Sequence, residues 1–289
     1  MYKAIAANKR NTVIIMTVFV AIIGLIGWGF SYYYGNNSIA IIVIVSAMAY
    51  AIIQYYAASS IAVSMTGASE IQKSDNPRLY RMVENICITV GIPTPKVYII
   101  DDPAPNAFAT GRDPKHAIVG VTTGLLELMD DNELEGVIAH EIGHIQNYDI
   151  RVSMITFGLV SAIGILSDIA IRMLFFSNSE NRNPFTLIIG VVVLILAPII
   201  ALMIQMAVSR QREYLADSTG AMTTRNPEGL ANALDKLSQN SSPMKRQNSA
   251  SAHLFFSNPL KKSTFSGLFS THPPLADRSE RLRSNQDKF

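Results

Sequence analysis

Four stretches of this chain are too apolar to be left in water, and they constrain everything between them. Val13 to Phe30 runs without a charge. As a helix it would extend about 27 Å, close to the hydrocarbon thickness of a bilayer. Trp28 and Tyr32 to Tyr34 stand at its far end, where an interfacial aromatic belt belongs. A second run covers about Ser38 to Ala58, after the short uncharged turn "GNNS", and the two read as a transmembrane hairpin. Phe185 to Val208 is equally clear and contains Pro198, a residue that kinks membrane helices. Val152 to about Phe176 is weaker, because it carries Asp168 and Arg172. These lie four apart on one helical face near the outer end, as a snorkelling pair would, so the run is expected to span rather than re-enter or lie at the interface.

The overall composition agrees. Hydrophobic residues make up 49% of the 289 residues and charged residues 16%. The first run is preceded by Lys3, Lys9 and Arg10, as a signal peptide would be, but it is too long for one and no small-x-small cleavage site follows. Basic residues also set an orientation. Arg151 precedes the third run and Arg210 and Arg212 follow the fourth, while the loops "GNNS" and "SNSENRNP" carry almost no charge. The positive-inside rule then places both termini and the large loop in the cytoplasm. The net charge of +2 gives no reason to expect a nucleic-acid partner. The single cysteine, Cys87, rules out an internal disulfide and reads as a small buried apolar residue.

This divides the chain into a membrane hairpin at 11–58, a soluble part at 59–150, a second hairpin at 151–209 and a second soluble part at 210–289. The first soluble part reads as α+β. "NPRLYRMVENICITVGI" has helical spacing, with Asn76 placed to cap and Pro77 at the first helical position. "KVYII" and "HAIVGV" are short β-rich runs with "NAFATG" between them. "DDNELEGVIAHEIGHIQNYD" is helical, and its acidic first turn suits the helix dipole. In the second part, one helix ends and another starts after Pro227, and 238–270 reads as a loop rich in Ser, Asn and Lys.

The helix with "HEIGH" carries the chemistry. His140 and His144 are four apart, so both imidazoles lie on one face, one turn apart, where they can share an ion. Glu141 points beside the pair and suits a general base acting on a metal-activated water. Zinc fits this ligand set. The bland alternative is a solvated helix face, but "GVIA" and the flanking isoleucine make the helix largely apolar. A third ligand must come from elsewhere. A histidine six residues beyond the second is absent, since Ile150 stands there. "SRQREYLADSTGA" offers Glu213 as a ligand, with Asp217 one turn on to accept the other N–H of a ligating histidine. Taken alone, such a pair is more often a solvated face.

Together, "HEIGH", "SRQREYLADSTGA", "NAFATG" and "STHPPLADR" resemble the HtpX family of bacterial membrane zinc metalloproteases, along the whole chain and in family order. That family is related to the type I CAAX prenyl proteases, whose larger intramembrane chamber four runs cannot build. The resemblance implies an α-rich integral membrane protein with four transmembrane helices and a cytoplasmic α+β zincin-like domain. It implies Glu213 as third zinc ligand, one zinc per subunit, and quality-control cleavage of misfolded or damaged membrane proteins at the bacterial inner membrane. It favours a near-site role for "THPPLADR", where His272 and Arg278 are donors for an oxyanion; the plain alternative is a turn and a helix cap. "NAFATG" reads as an edge strand able to pair with an extended substrate, with Asn106 binding its backbone, or else as an ordinary strand. Tyr214 is a further donor that adjacency to Glu213 does not aim at the metal, and His116 and His253 have no partner in sequence. The expected partners are unfolded or membrane-protein substrates and the lipid bilayer. A scaffold with structural zinc, or a different hydrolase using the same site, are the competing readings.

Overall fold

A computed structural model describes residues 2–156, 158–159, 162, 210–240, 242–246, 254–257 and 273–288. Helix α1 (Tyr2–Tyr34) and helix α2 (Asn37–Thr66) form the first hairpin. Gly35, at φ 62°, turns the chain, and the Asn36 side chain accepts from Ser38 N–H to start α2. Among the described residues these are the two helices long and apolar enough to cross a membrane, over Ile5–Gly29 and Asn37–Ala57. Val13, Leu25, Trp28, Ile41, Ile53 and Tyr56 remain exposed on them, as lipid-facing side chains would be.

Residues 149–156, the start of the third apolar run, are helical. Val152, Met154, Ile155 and Leu159 pack with Ile15, Phe19 and Ala47 of the first hairpin. Most of the third run, all of the fourth, Asp168, Arg172 and the loop between the two runs lie outside the described residues.

The rest of the described chain is α+β, with its elements formed for the reasons the sequence offers. Helix α3 (Pro77–Val90) starts where the Asn76 side chain accepts from Leu79 N–H at 3.0 Å and stops at Gly91, φ 73°. It buries Leu79, Val83, Ile86 and Cys87 on one face. Strands β1 (Ser69–Glu70), β2 (Lys96–Ile100), β3 (Ala107–Gly111) and β4 (Ala117–Thr122) form a sheet of order β1-β2-β4-β3. β2 and β4 are parallel, with Val97 opposite Val119; β3 is antiparallel to β4, with Ala109 opposite Val119. β3 is therefore the edge strand, as "NAFATG" suggests.

A short helix, α4 (Thr123–Leu128), leads into the central helix α5 (Asp131–Gln146). A capping box opens α5: Asp130 accepts from Glu133 N–H, and Glu133 accepts from Asp130 N–H. Leu134, Val137, Ile138, Ile142 and Ile145 of α5 all belong to the main core, so the helix is apolar on nearly every side. Helices α6 (Arg210–Thr224) and α7 (Pro227–Gln239) pack against it, and α8 (Leu275–Ser284) packs on α7 and α6. A Cβ at Gly136 would sit 2.8 Å from the Leu230 backbone, so glycine lets α7 lie flush against α5. After Gln146 the chain turns through Asn147 and Tyr148, the latter at φ 63°, before the helix at 149–156 begins. The helix with both histidines is thus broken from the third run by one turn and does not continue straight into it.

Candidate metal centre

His140 and His144 project from one face of α5 as their spacing requires, with Nε2 atoms 3.1 Å apart. Glu213 reaches them from α6, its carboxylate oxygens 3.7 Å from His140 Nε2 and 3.6 Å from His144 Nε2. The approach depends on Gly220, where a Cβ would meet His140 N at 3.0 Å. Any side chain there would push α6, and Glu213 with it, away from α5.

Each histidine has its other nitrogen held by a carboxylate. His140 Nδ1 lies 2.9 Å from Asp217 and His144 Nδ1 lies 3.0 Å from Asp149. Both rings then carry their N–H on Nδ1 and turn a lone pair inward from Nε2. With neither Nε2 protonated, two lone pairs and a carboxylate face one another across 3.1–3.7 Å, a donor set that either a proton on His144 or a shared cation relieves. Ligands about 2.0–2.1 Å from a tetrahedral zinc sit at about these mutual distances, so the residues present fit such an ion. Among the described residues the cluster comprises these three donors.

Glu141 is 3% exposed and lies beside the cluster, where the Ala109 backbone of the edge strand favours its carboxylate form. Burial pushes it up to about 7, with His144 pulling the other way and Glu213 adding to the rise. Burial also pushes His140 down to about 4, helped by the Arg278 charge. Burial works to lower His144 as well, but its bond to Asp149 and the charge of Glu213 carry it up to about 9. Asp217 is lowered despite its burial, because Arg278 and His140 favour the carboxylate.

Arg278 has a different place from the oxyanion donor expected of it. Its guanidinium is fully buried and forks onto Asp217, Nε to Oδ2 at 2.9 Å and Nη2 to Oδ1 at 2.7 Å, with Nη1 3.4 Å from Glu213. Two buried carboxylates need a buried cation, and they draw Arg278 behind the ligands rather than over the open side. Asn106 also differs from expectation. It binds backbone, but of its own chain: Oδ1 accepts from Ser257 N–H at 3.1 Å and Nδ2 donates to Ser257 O at 2.9 Å. Phe256 N–H donates to Ala107 O at 2.8 Å, so that stretch of the β3 edge is already paired. The Phe256 ring stands edge-on to His140, centroids 4.9 Å apart. The Tyr214 ring lies under Arg281, away from the cluster, and exposed His116 pairs with Asp113 at 2.7 Å. His272 and His253 lie outside the described residues. Asp149 and Asn8, which meet below, are the site's unannounced members. Asp149 falls beyond the helical frame of "HEIGH", and a single asparagine near an apolar run has no periodic signal.

An H-E-x-x-H pair closed by a glutamate from a second helix, under an edge strand, is the architecture of a metallopeptidase. The chain belongs to Peptidase family M48, which matches residues 73–286, and is an HtpX-like metalloprotease carrying membrane helices. It is 52% identical to a "Protease HtpX homolog" of Tropheryma whipplei (strain Twist), covering 100% of both chains. It is 44% identical to a "Protease HtpX homolog" of Lactobacillus helveticus, over 98% of this chain and 99% of the relative. Its fold is similar to the crystal structure of S. mikatae Ste24p, with TM-score 0.50, 21% identity, and coverage of 98% of this chain and 67% of that one.

Proposed function

We propose that this protein is a zinc endopeptidase that cleaves misfolded or damaged membrane proteins at the cytoplasmic face of a bacterial plasma membrane. His140, His144 and Glu213 hold the ion. When bound, zinc acts as a Lewis acid and makes a water nucleophilic near neutral pH. Glu141 would be the general base that holds the proton at its carboxylate, and its burial suits a base that works near neutrality. Asp217 and Asp149 hold the two imidazoles in the tautomer that ligates. The remaining β3 edge, beside Glu141, is where an extended substrate segment would pair.

The observation that supports this most is the inward-facing donor set with an acid beside it and no fourth protein donor among the described residues. A structural zinc site is normally closed by four protein ligands, which disfavours the scaffold reading. Four spanning helices, with both termini cytoplasmic, follow from the apolar runs and their basic flanks. The purified protein should contain about one zinc per chain and cleave unfolded casein, and a chelator should abolish cleavage. Zinc binding without any peptide cleavage would favour a scaffold or a different hydrolase.

A further inference from the structure

One polar side chain of the first membrane hairpin is buried beside the metal centre. Asn8, on α1, is 3% exposed. Its Nδ2 donates to Asp149 Oδ1 at 2.6 Å and to Asn147 O at 2.9 Å. Both partners are acceptors, so the amide nitrogen must face them, and both of its N–H groups are used. The other oxygen of Asp149 accepts from His144 Nδ1 at 3.0 Å. The turn at Tyr148, φ 63°, brings Asp149 back under His144 and offers the Asn147 carbonyl to α1. The neighbouring Lys9 lies over the Tyr148 ring at 4.7 Å and braces the same turn. Arg212, at the start of α6, stands 4.0 Å from Asp149.

We propose that Asn8 is a positioning residue for the metal ligand His144, acting through Asp149. The first membrane hairpin is then part of the metal centre and not only an anchor. The proposal rests on the zinc reading above. By fixing Oδ1, Asn8 fixes the carboxylate plane, and that plane directs Oδ2 at the His144 ring. Without it, Asp149 can rotate and His144 loses the orientation that brings its Nε2 to the ion.

The test uses the full-length protein in lipid nanodiscs, with zinc affinity read by chelator competition and ligand geometry read by visible absorption after cobalt replaces zinc. Asn8→Ala should weaken zinc several-fold, short of the about tenfold to hundredfold loss expected for Asp149→Ala. Asn8→Asp keeps the shape but sets an acceptor against two acceptors, and should weaken zinc more than Asn8→Ala. Both should shift the cobalt bands. Asn8→Ala in an Asp149→Ala background should cost little further, because the link is already cut. Ile15→Ala, buried seven residues along the same helix and bonded to neither Asp149 nor His144, is the packing control. It should lower thermal stability yet leave zinc affinity and cobalt bands unchanged. Equal zinc loss in Ile15→Ala and Asn8→Ala would overturn the proposal, since packing alone would explain it. Wild-type affinity and bands in Asn8→Ala would also overturn it. A wild-type protein that bound no zinc would overturn the zinc reading itself.

Discussion

The two histidines of α5 are one turn apart and bear the same kind of partner, yet their surroundings push them in opposite directions. His140 is pushed down to about 4, by burial first and the Arg278 charge next. His144 is carried up to about 9 in spite of burial, by Asp149 and Glu213. The difference lies behind the carboxylates. Asp217 is held by a guanidinium, so its charge is largely spent on Arg278. Asp149 is held chiefly by a neutral amide, with Arg212 only at 4.0 Å, so more of its charge acts on His144. One ligand is fixed through α6 and α8. The other is fixed through α1 and the turn at Tyr148.

The comparison breaks most severely at Arg278. Replacing it by leucine leaves Asp217 and Glu213 without their buried cation, and losing one partner of such a pair costs about 3–5 kcal/mol. Arg278→Leu should therefore lower the unfolding midpoint strongly, whereas Asp149→Ala should leave it much closer to wild type. Similar midpoints for the two would erase the distinction between the sides.

The next effect is on metal affinity. Asp149→Ala should keep the fold and weaken zinc by about tenfold to a hundredfold, read by chelator competition. An unchanged affinity would mean that His144 needs no orienting partner.

A smaller effect concerns protons. In the metal-free protein His144 sits at about 9, so at pH 8 it is mostly protonated and must release its proton to bind zinc. Calorimetry in buffers of different ionisation enthalpy should find about one proton released per zinc at pH 8. Asp149→Asn should release much less. The sign for stability follows from the same shift. The folded value lies above the ordinary histidine value of 6.5, so the metal-free fold binds this proton more tightly than the unfolded chain. Stability should then fall as pH rises from about 7 to 9, and Asp149→Asn should flatten that slope. A wild-type slope of the opposite sign would contradict the assignment.

Much of this centre was legible in the sequence, for identifiable reasons. "HEIGH" encodes its geometry in helical periodicity, whereas the Glu213–Asp217 pair, by spacing alone more often a solvated face, was legible only through the family resemblance. The α3 cap was legible because Asn76 and Pro77 have local meanings. What was hidden depends on tertiary approach. Arg278 is 61 positions from Asp217 and Asn106 is 151 from Ser257, and no local pattern marks either pair. The expected roles for Arg278 and Asn106 assumed donors free to face substrate, whereas buried carboxylates and the Ser257 backbone claim them first. The break at Tyr148 was hidden too, because a non-glycine residue at positive φ carries no sequence signal.

The most direct test of the account compares zinc content and casein cleavage in Glu141→Ala and Glu213→Ala. Glu141→Ala should keep about one zinc and lose activity by about a hundredfold or more. Glu213→Ala should lose both the zinc and the activity. A Glu213→Ala protein that holds zinc as tightly as wild type, or a Glu141→Ala protein that turns over at the wild-type rate, would contradict it.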